Sequence, residues 1–190
     1  YPGDKATAAQ LIRDKHAISA DAKLILFNGL LNYKPNLDAL KVILDKINPL
    51  LTKQTGFYYK IIVCGKGLPE EMNELTGHDN IIYAGFVDDV EKYFKAADIF
   101  INPVLTGGGI KTKMVEAIAF GATVISTESG AIGMNASVAA AKLKIVSDND
   151  WDAFADAVIH ESSQPLVVTP GQFYKEYGWK DIIEKVASTI

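Results

Sequence analysis

Short apolar runs rich in β-branched and aromatic residues return along the chain at residues 24–27, 59–63, 81–83, 99–101 and 123–125, and helical patterns fill the gaps between them. Runs this short and this uniformly apolar read as strands buried on both faces. In the first gap Leu37, Leu40, Ile43, Leu44 and Ile47 recur at the spacing of one helix face, with Asn36 as the expected N-cap and Pro49 as the expected stop. Val90, Tyr93 and Phe94 mark a second helix, started by Asp88 and Asp89. A third is expected over 112–120, ended by Gly121. A sixth strand fits 144–146, followed by a helix capped near Asp148 or Asp150 that carries Trp151, Phe154, Val158 and Ile159 on one side. Strands alternating with helices of this length predict an α/β fold, a Rossmann-like doubly wound parallel sheet of about six strands with helices on both faces.

At 190 residues, 48% of them hydrophobic, the chain can bury one sizeable core and reads as a single domain over 1–190, with the core over about 24–160. Two flanks lie outside the alternation. Residues 6–16 read as a helix, and 179–190 place Trp179, Ile182, Ile183, Val186 and Ile190 on one stripe, which suits this core or a neighbouring domain. The net charge of -4 supplies no basic field, so nucleic acid is not an expected partner. The lone Cys64 follows Ile61, Ile62 and Val63 and reads as a small buried hydrophobe, which fits a reducing, cytoplasmic compartment. No run approaches the roughly 20 apolar residues of a membrane span, and no signal-peptide core is visible, so the chain reads as soluble. His16, His78 and His160 are scattered without a second imidazole or a thiol at ligand spacing, so no metal is expected.

In an open parallel sheet, ligands bind at the carboxyl ends of the strands. The segment after the strand at 99–101 is the most informative there. It carries Gly107, Gly108 and Gly109, then Ile110, Lys111, Thr112, Lys113, Met114, Val115 and Glu116. Consecutive glycines let a ligand approach the main-chain N–H groups, and the positive end of the next helix attracts phosphate at the same place. With Thr112 as N-cap, Lys113 and Glu116 share a helix face, suiting a phosphate and a vicinal diol. The spacing alone equally fits a tight turn followed by a solvated surface pair. A phosphate loop of the Walker type is disfavoured, because Ile110 stands where that motif requires glycine. Gly65-Lys66-Gly67 also follows a strand, but Glu70 occupies the third small position of a dinucleotide fingerprint, so it reads as a plain loop.

These segments form a recognisable series. Asn28-Gly29 with Tyr33-Lys34-Pro35-Asn36, Val63-Cys64-Gly65-Lys66-Gly67, Tyr83-Ala84-Gly85-Phe86-Val87-Asp88-Asp89, Ala97-Asp98-Ile99-Phe100, Gly107 through Lys113, Glu116-Ala117-Ile118-Ala119-Phe120-Gly121 and Val124-Ile125-Ser126-Thr127 follow in order. The series resembles the C-terminal, donor-binding domain of the GT-B glycosyltransferases of family 4, the group 1 glycosyl transferases. It covers most of residues 24–154, and its specificity lies in the order of motifs that are individually weak.

The resemblance implies one half of a GT-B fold that holds a nucleotide diphosphate sugar (UDP-, GDP- or ADP-sugar), needs no metal cofactor, and transfers a hexose with retention to a glycan or lipid-linked acceptor. Glu116 would hold the ribose hydroxyls, and Gly108, Gly109, Ile110, Lys111 and Thr112 would face the diphosphate with their backbone. Phe86, Val87 and Asp88 would meet the nucleobase through the main chain, although Asp88 fits a helix cap as well. Two departures stand out. Gly108 sits where the family carries its first glutamate, and Leu30 where an arginine usually follows the loop glycine. Lys113, ahead of Lys111, is therefore the expected replacement cation. The partner would be an absent N-terminal GT-B domain, onto which 179–190 would dock and through which the enzyme would reach an inner-membrane surface. Catalytic groups are expected outside this segment, and the isolated chain is expected to be inactive. The competing readings are a non-catalytic nucleotide-binding module of the same fold and a GT-B nucleotide-sugar epimerase.

Overall fold

A computed structural model describes residues 2–107 and 111–178. Six strands, β1 (Lys23–Asn28), β2 (Tyr59–Cys64), β3 (Ile81–Gly85), β4 (Ile99–Asn102), β5 (Thr123–Thr127) and β6 (Leu143–Val146), form one sheet in the order β3-β2-β1-β4-β5-β6. Every recorded pairing is parallel. The expected doubly wound sheet is the one observed, because each apolar run is short enough for one strand and each gap long enough for a crossover.

The helices are α1 (Pro2–His16), α2 (Lys34–Val42), α3 (Asn48–Thr52), α4 (Val90–Ala96), α5 (Thr112–Ala119), α6 (Glu128–Ala131), α7 (Ala136–Ala139), α8 (Trp151–Ser163) and α9 (Gly171–Tyr177). Alternation within the strands separates two cores. On β1, Leu24 and Leu26 face one layer with residues of α1, α4 and α5, whereas Ile25 and Phe27 face the other with residues of α2 and α8. Cys64 is fully buried, as expected, and burial pushes its thiol up to about 12, which keeps it unreactive at neutral pH.

Several local expectations are corrected. Asn36 does not cap its helix: α2 begins at Lys34, with Tyr33 before it and Pro35 in the first turn, leaving Asn36 inside. Proline pre-sets the first-turn backbone, so the helix starts earlier than a side-chain cap would place it. Pro49 is no stop either. The turn at Ile43–Ile47 widens to the π register, with the Asn48 N–H bonded to the Ile43 carbonyl, and Pro49 then sits in the first turn of α3. The wider turn absorbs a ring that would clash in a regular helix. At α4 the cap is Asp89, which accepts from the Lys92 N–H, and Asp88 is exposed beside it. Asp150 caps α8 and Trp151, Phe154, Val158 and Ile159 pack inward as expected.

Gly121, at φ +92, ends α5, as the sequence suggested. The helix end is held by groups the sequence did not single out. The buried Lys142 donates to the Gly121 carbonyl at 2.7 Å, and Thr169 Oγ1 and Tyr174 Oη donate to Ile118 and Ala119 carbonyls. His16 is half-buried with its ring nitrogen 3.0 Å from the Tyr93 hydroxyl. The stripe over 179–190 lies outside the described residues.

Candidate functional site

The chain reverses its direction of winding at β1 and β4: β1 to β3 build outward to one edge, β4 to β6 to the other. That reversal leaves a crevice at the carboxyl ends of the two central strands. Here the recorded pairing of β1 with β4 stops at Leu26 opposite Phe100, whereas the strands run on to Asn28 and Asn102. Above these ends lies a cavity of about 380 Å³. Asn28, Gly29, Tyr33 and Asn36 wall it from the β1 side, and Gly107, Lys111, Thr112, Lys113 and Glu116 from the β4 side.

The β4 wall is the start of α5. Lys111, not Thr112, occupies the N-cap position, with φ -84 and ψ 96, and no side chain caps the helix. Its carbonyl already takes the Met114 N–H at 2.8 Å, which moves the helix boundary one residue earlier than expected. An uncapped helix start facing a crevice presents N–H groups and the positive end of the dipole to whatever enters. Gly107 supports this path at φ +102, where a side chain would be strained, and Lys111 Nζ donates to its carbonyl at 3.1 Å.

Lys113 crosses from α5 to the opposite layer. Its ammonium donates to Asn36 Oδ1 on α2 at 3.0 Å and lies 5.1 Å from the centre of the Phe27 ring. Burial lowers it to about 8, and the nearby Lys111 adds to the shift. Glu116 shares the wall, its carboxyl raised above the ordinary range by partial burial. Among the described residues no ion pair joins Lys113 to Glu116, so both remain available to a ligand rather than to each other. The predicted cation and carboxylate thus reach one cavity, beside an anion-attracting helix start.

Not every expected residue is placed there. Gly108, Gly109 and Ile110 lie outside the described residues. Phe86, Val87 and Asp88 follow the edge strand β3, which β2 and β1 separate from β4, and do not line this cavity; Phe86 is 71% exposed, and Val87 packs on the core. Sequence reasoning gave Asn36, Gly29 and Tyr33 no place among the ligand-binding residues. The signal available was Asn28-Gly29 ahead of Tyr33-Lys34-Pro35-Asn36 at a strand end, where a glycine makes room for a neighbour: a Cβ on Gly29 would stand 2.6 Å from Asn36 Nδ2.

The sequence profile of the glycosyl transferases group 1 matches residues 22–162. This chain belongs to the group 1 glycosyl transferases. A curated relative of this group 1 chain is an uncharacterized 44.6 kDa protein in the cps region of Klebsiella pneumoniae, 29% identical over 146 residues, which are 73% of this chain and 37% of the relative. The fold is similar to that of WaaG, a glycosyltransferase involved in lipopolysaccharide biosynthesis, with a TM-score of 0.70 at 18% identity, over 100% of this chain and 54% of WaaG. It is also similar to Anabaena HepE in complex with UDP, with a TM-score of 0.72 at 13% identity, over 96% of this chain and 52% of HepE. These structural likenesses fix the fold as a Rossmann-like domain of the GT-B type. The chain spans 37% of the curated relative and about half of each solved structure. Among the described residues of this group 1 chain, no helix is long and apolar enough to cross a membrane.

Proposed function

We propose that this group 1 domain is the C-terminal, donor-binding half of a retaining family 4 glycosyltransferase, holding a nucleotide diphosphate sugar in the crevice between β1 and β4. The observation that carries this reading is the convergence of an uncapped helix start, Lys113 and Glu116 on one cavity of about 380 Å³. In it the diphosphate lies against the first turn of α5 and the glycine-rich loop, including Gly108, Gly109 and Ile110. Lys113 supplies the positive charge that would otherwise call for a metal ion, with Lys111 beside it. Glu116 accepts both ribose hydroxyls, since an ionised carboxylate offers two acceptor oxygens to a vicinal diol. The base would extend out of the cavity along the strand ends towards β3, where Phe86, Val87 and Asp88 would meet it with their main chain.

The UDP complex of HepE supports a nucleoside diphosphate as the ligand. The cps-region relative supports a role in cytoplasmic polysaccharide synthesis at the inner membrane. The chain's half-length match to the solved structures supports an additional N-terminal domain, which would bring the glycan or lipid acceptor and the groups acting on the anomeric carbon.

Calorimetric titration with UDP, GDP and ADP is expected to reveal binding of at least one of them. Glu116→Ala should weaken that ligand roughly tenfold and the matching 2′,3′-dideoxynucleotide not at all, because only the diol contact is lost. No binding of any of the three, or equal loss for both ligands, would refute the assignment. The chain alone is expected to bind donor without transferring sugar; measurable turnover by it would show that the acceptor machinery is already present.

A further inference from the structure

We propose that Asn36 is a positioning residue for the donor diphosphate: its carboxamide, tied to the β1–α2 loop at one end, holds the Lys113 ammonium in the cavity wall at the other. The inference rests on the reading of Lys113 as a diphosphate ligand and adds to it the group that fixes where that charge sits.

A lysine is a point charge on a flexible stem, and its usefulness to a ligand depends on what restrains it. Lys113 is restrained by two groups from the opposite layer, the Asn36 amide oxygen at 3.0 Å and the face of Phe27 at 5.1 Å. Both are uncharged. They orient the ammonium without neutralising it, which a carboxylate at the same place would do. The amide has one sensible orientation, because Asn36 Nδ2 donates to the Leu30 carbonyl at 3.0 Å; turned round, it would set an NH2 group against the ammonium. Room for it comes from Gly29, whose Cβ would stand 2.6 Å from that nitrogen. Asn36 lies in the interior of α2, where an asparagine offers no capping benefit and weakens the helix relative to alanine. Glycine, asparagine and lysine from two distant segments thus form one linkage across the open end of the sheet, at the wall of the cavity.

The remaining titratable groups on the elements around Lys113 are Lys111 and Glu116 at α5, Lys23 at the far end of β1, and Tyr33, Lys34, Asp38 and Lys41 at α2, of which Lys34 and Asp38 pair with each other in solvent. None of them is bonded to Lys113 among the described residues. Burial lowers the ammonium, and the amide oxygen opposes that loss by accepting from the charged form.

The test is calorimetric titration of the 190-residue chain with UDP, GDP and ADP across neutral and alkaline pH, for wild type, Asn36→Ala, Asn36→Asp, Lys113→Ala and the Asn36→Ala/Lys113→Ala pair. Asn36→Ala is expected to lower affinity for the bound diphosphate about tenfold and to move its alkaline loss to lower pH. Asn36→Asp should move that loss to higher pH while weakening binding at neutral pH, because the carboxylate keeps the lysine charged but competes for it. The double variant should bind as Lys113→Ala does, since the amide acts only through the lysine. Losses that add independently, or an Asn36→Ala that binds as wild type while Lys113→Ala is weakened, would overturn the positioning role alone. Wild-type binding by Lys113→Ala would overturn the underlying reading instead. Should Asn36→Ala lose its fold, the near-isosteric Asn36→Asp decides the matter: an alkaline limb at the wild-type pH overturns the proposal.

Discussion

Gly65→Ala is expected to destabilise the chain by about 3–5 kcal/mol, the sum of a strained backbone and a steric overlap. Gly65 sits at φ +144, and a Cβ there would lie 1.8 Å from the Gly29 carbonyl oxygen. The surroundings cannot yield locally. The Gly65 N–H is bonded to the Gly85 carbonyl at 2.8 Å, its own carbonyl accepts from the Tyr83 hydroxyl at 3.0 Å, and the Gly29 N–H is bonded to the Cys64 carbonyl at 3.0 Å. Relief would have to displace the Gly29 segment, which walls the cavity. Urea unfolding followed by circular dichroism measures the loss. Gly77→Ala, where the added carbon meets nothing within 4 Å, serves as the control and should stay within about 0.5 kcal/mol of wild type. A Gly65→Ala as stable as that control would disprove the close approach of the two strand ends.

Lys113→Ala is expected to cost about 2 kcal/mol of nucleoside diphosphate affinity at neutral pH, roughly thirtyfold. Its pH dependence distinguishes this lysine from other contacts. Burial, with a further contribution from Lys111, holds the ammonium at about 8 in the free protein. A bound diphosphate favours the charged form and raises that value. Wild-type affinity should therefore be level below about pH 7 and fall by up to tenfold per unit as pH rises through 8, until the lysine of the complex deprotonates too. Lys113→Ala should lack that decline. The same decline persisting in Lys113→Ala would assign it to another group, and undiminished binding by both Lys113→Ala and Lys111→Ala would remove the lysines from the site.

Five strands were legible as short apolar runs bounded by polar loops, and the pairing of Lys113 with Glu116 because they lie three apart on a helix, a spacing that guarantees a shared face. What escaped was non-local. Asn36 carries a strong local signal for a cap, yet Pro35 starts the helix ahead of it and its amide turns to Lys113, 77 positions away. Nothing near either residue announces the other. The segment α9 was also missed: it is a single short helix, yet Phe173 is fully buried and Tyr174 reaches the Ala119 carbonyl. Seven residues give too little periodicity to read. The boundary at Lys111 differed by one residue, within the usual uncertainty of helix ends.

The short ladder between β1 and β4 bears on how the protein is made. During synthesis β1, β2 and β3 emerge first and can assemble by themselves, while the free edge of β1 waits for β4. The recorded ladder between β1 and β4 holds two residue pairs, against six between β1 and β2. The crevice comes into being at that late suture, so a nucleotide resting on both the β1 and the β4 loops would act as a rivet, selecting chains in which the two halves have met.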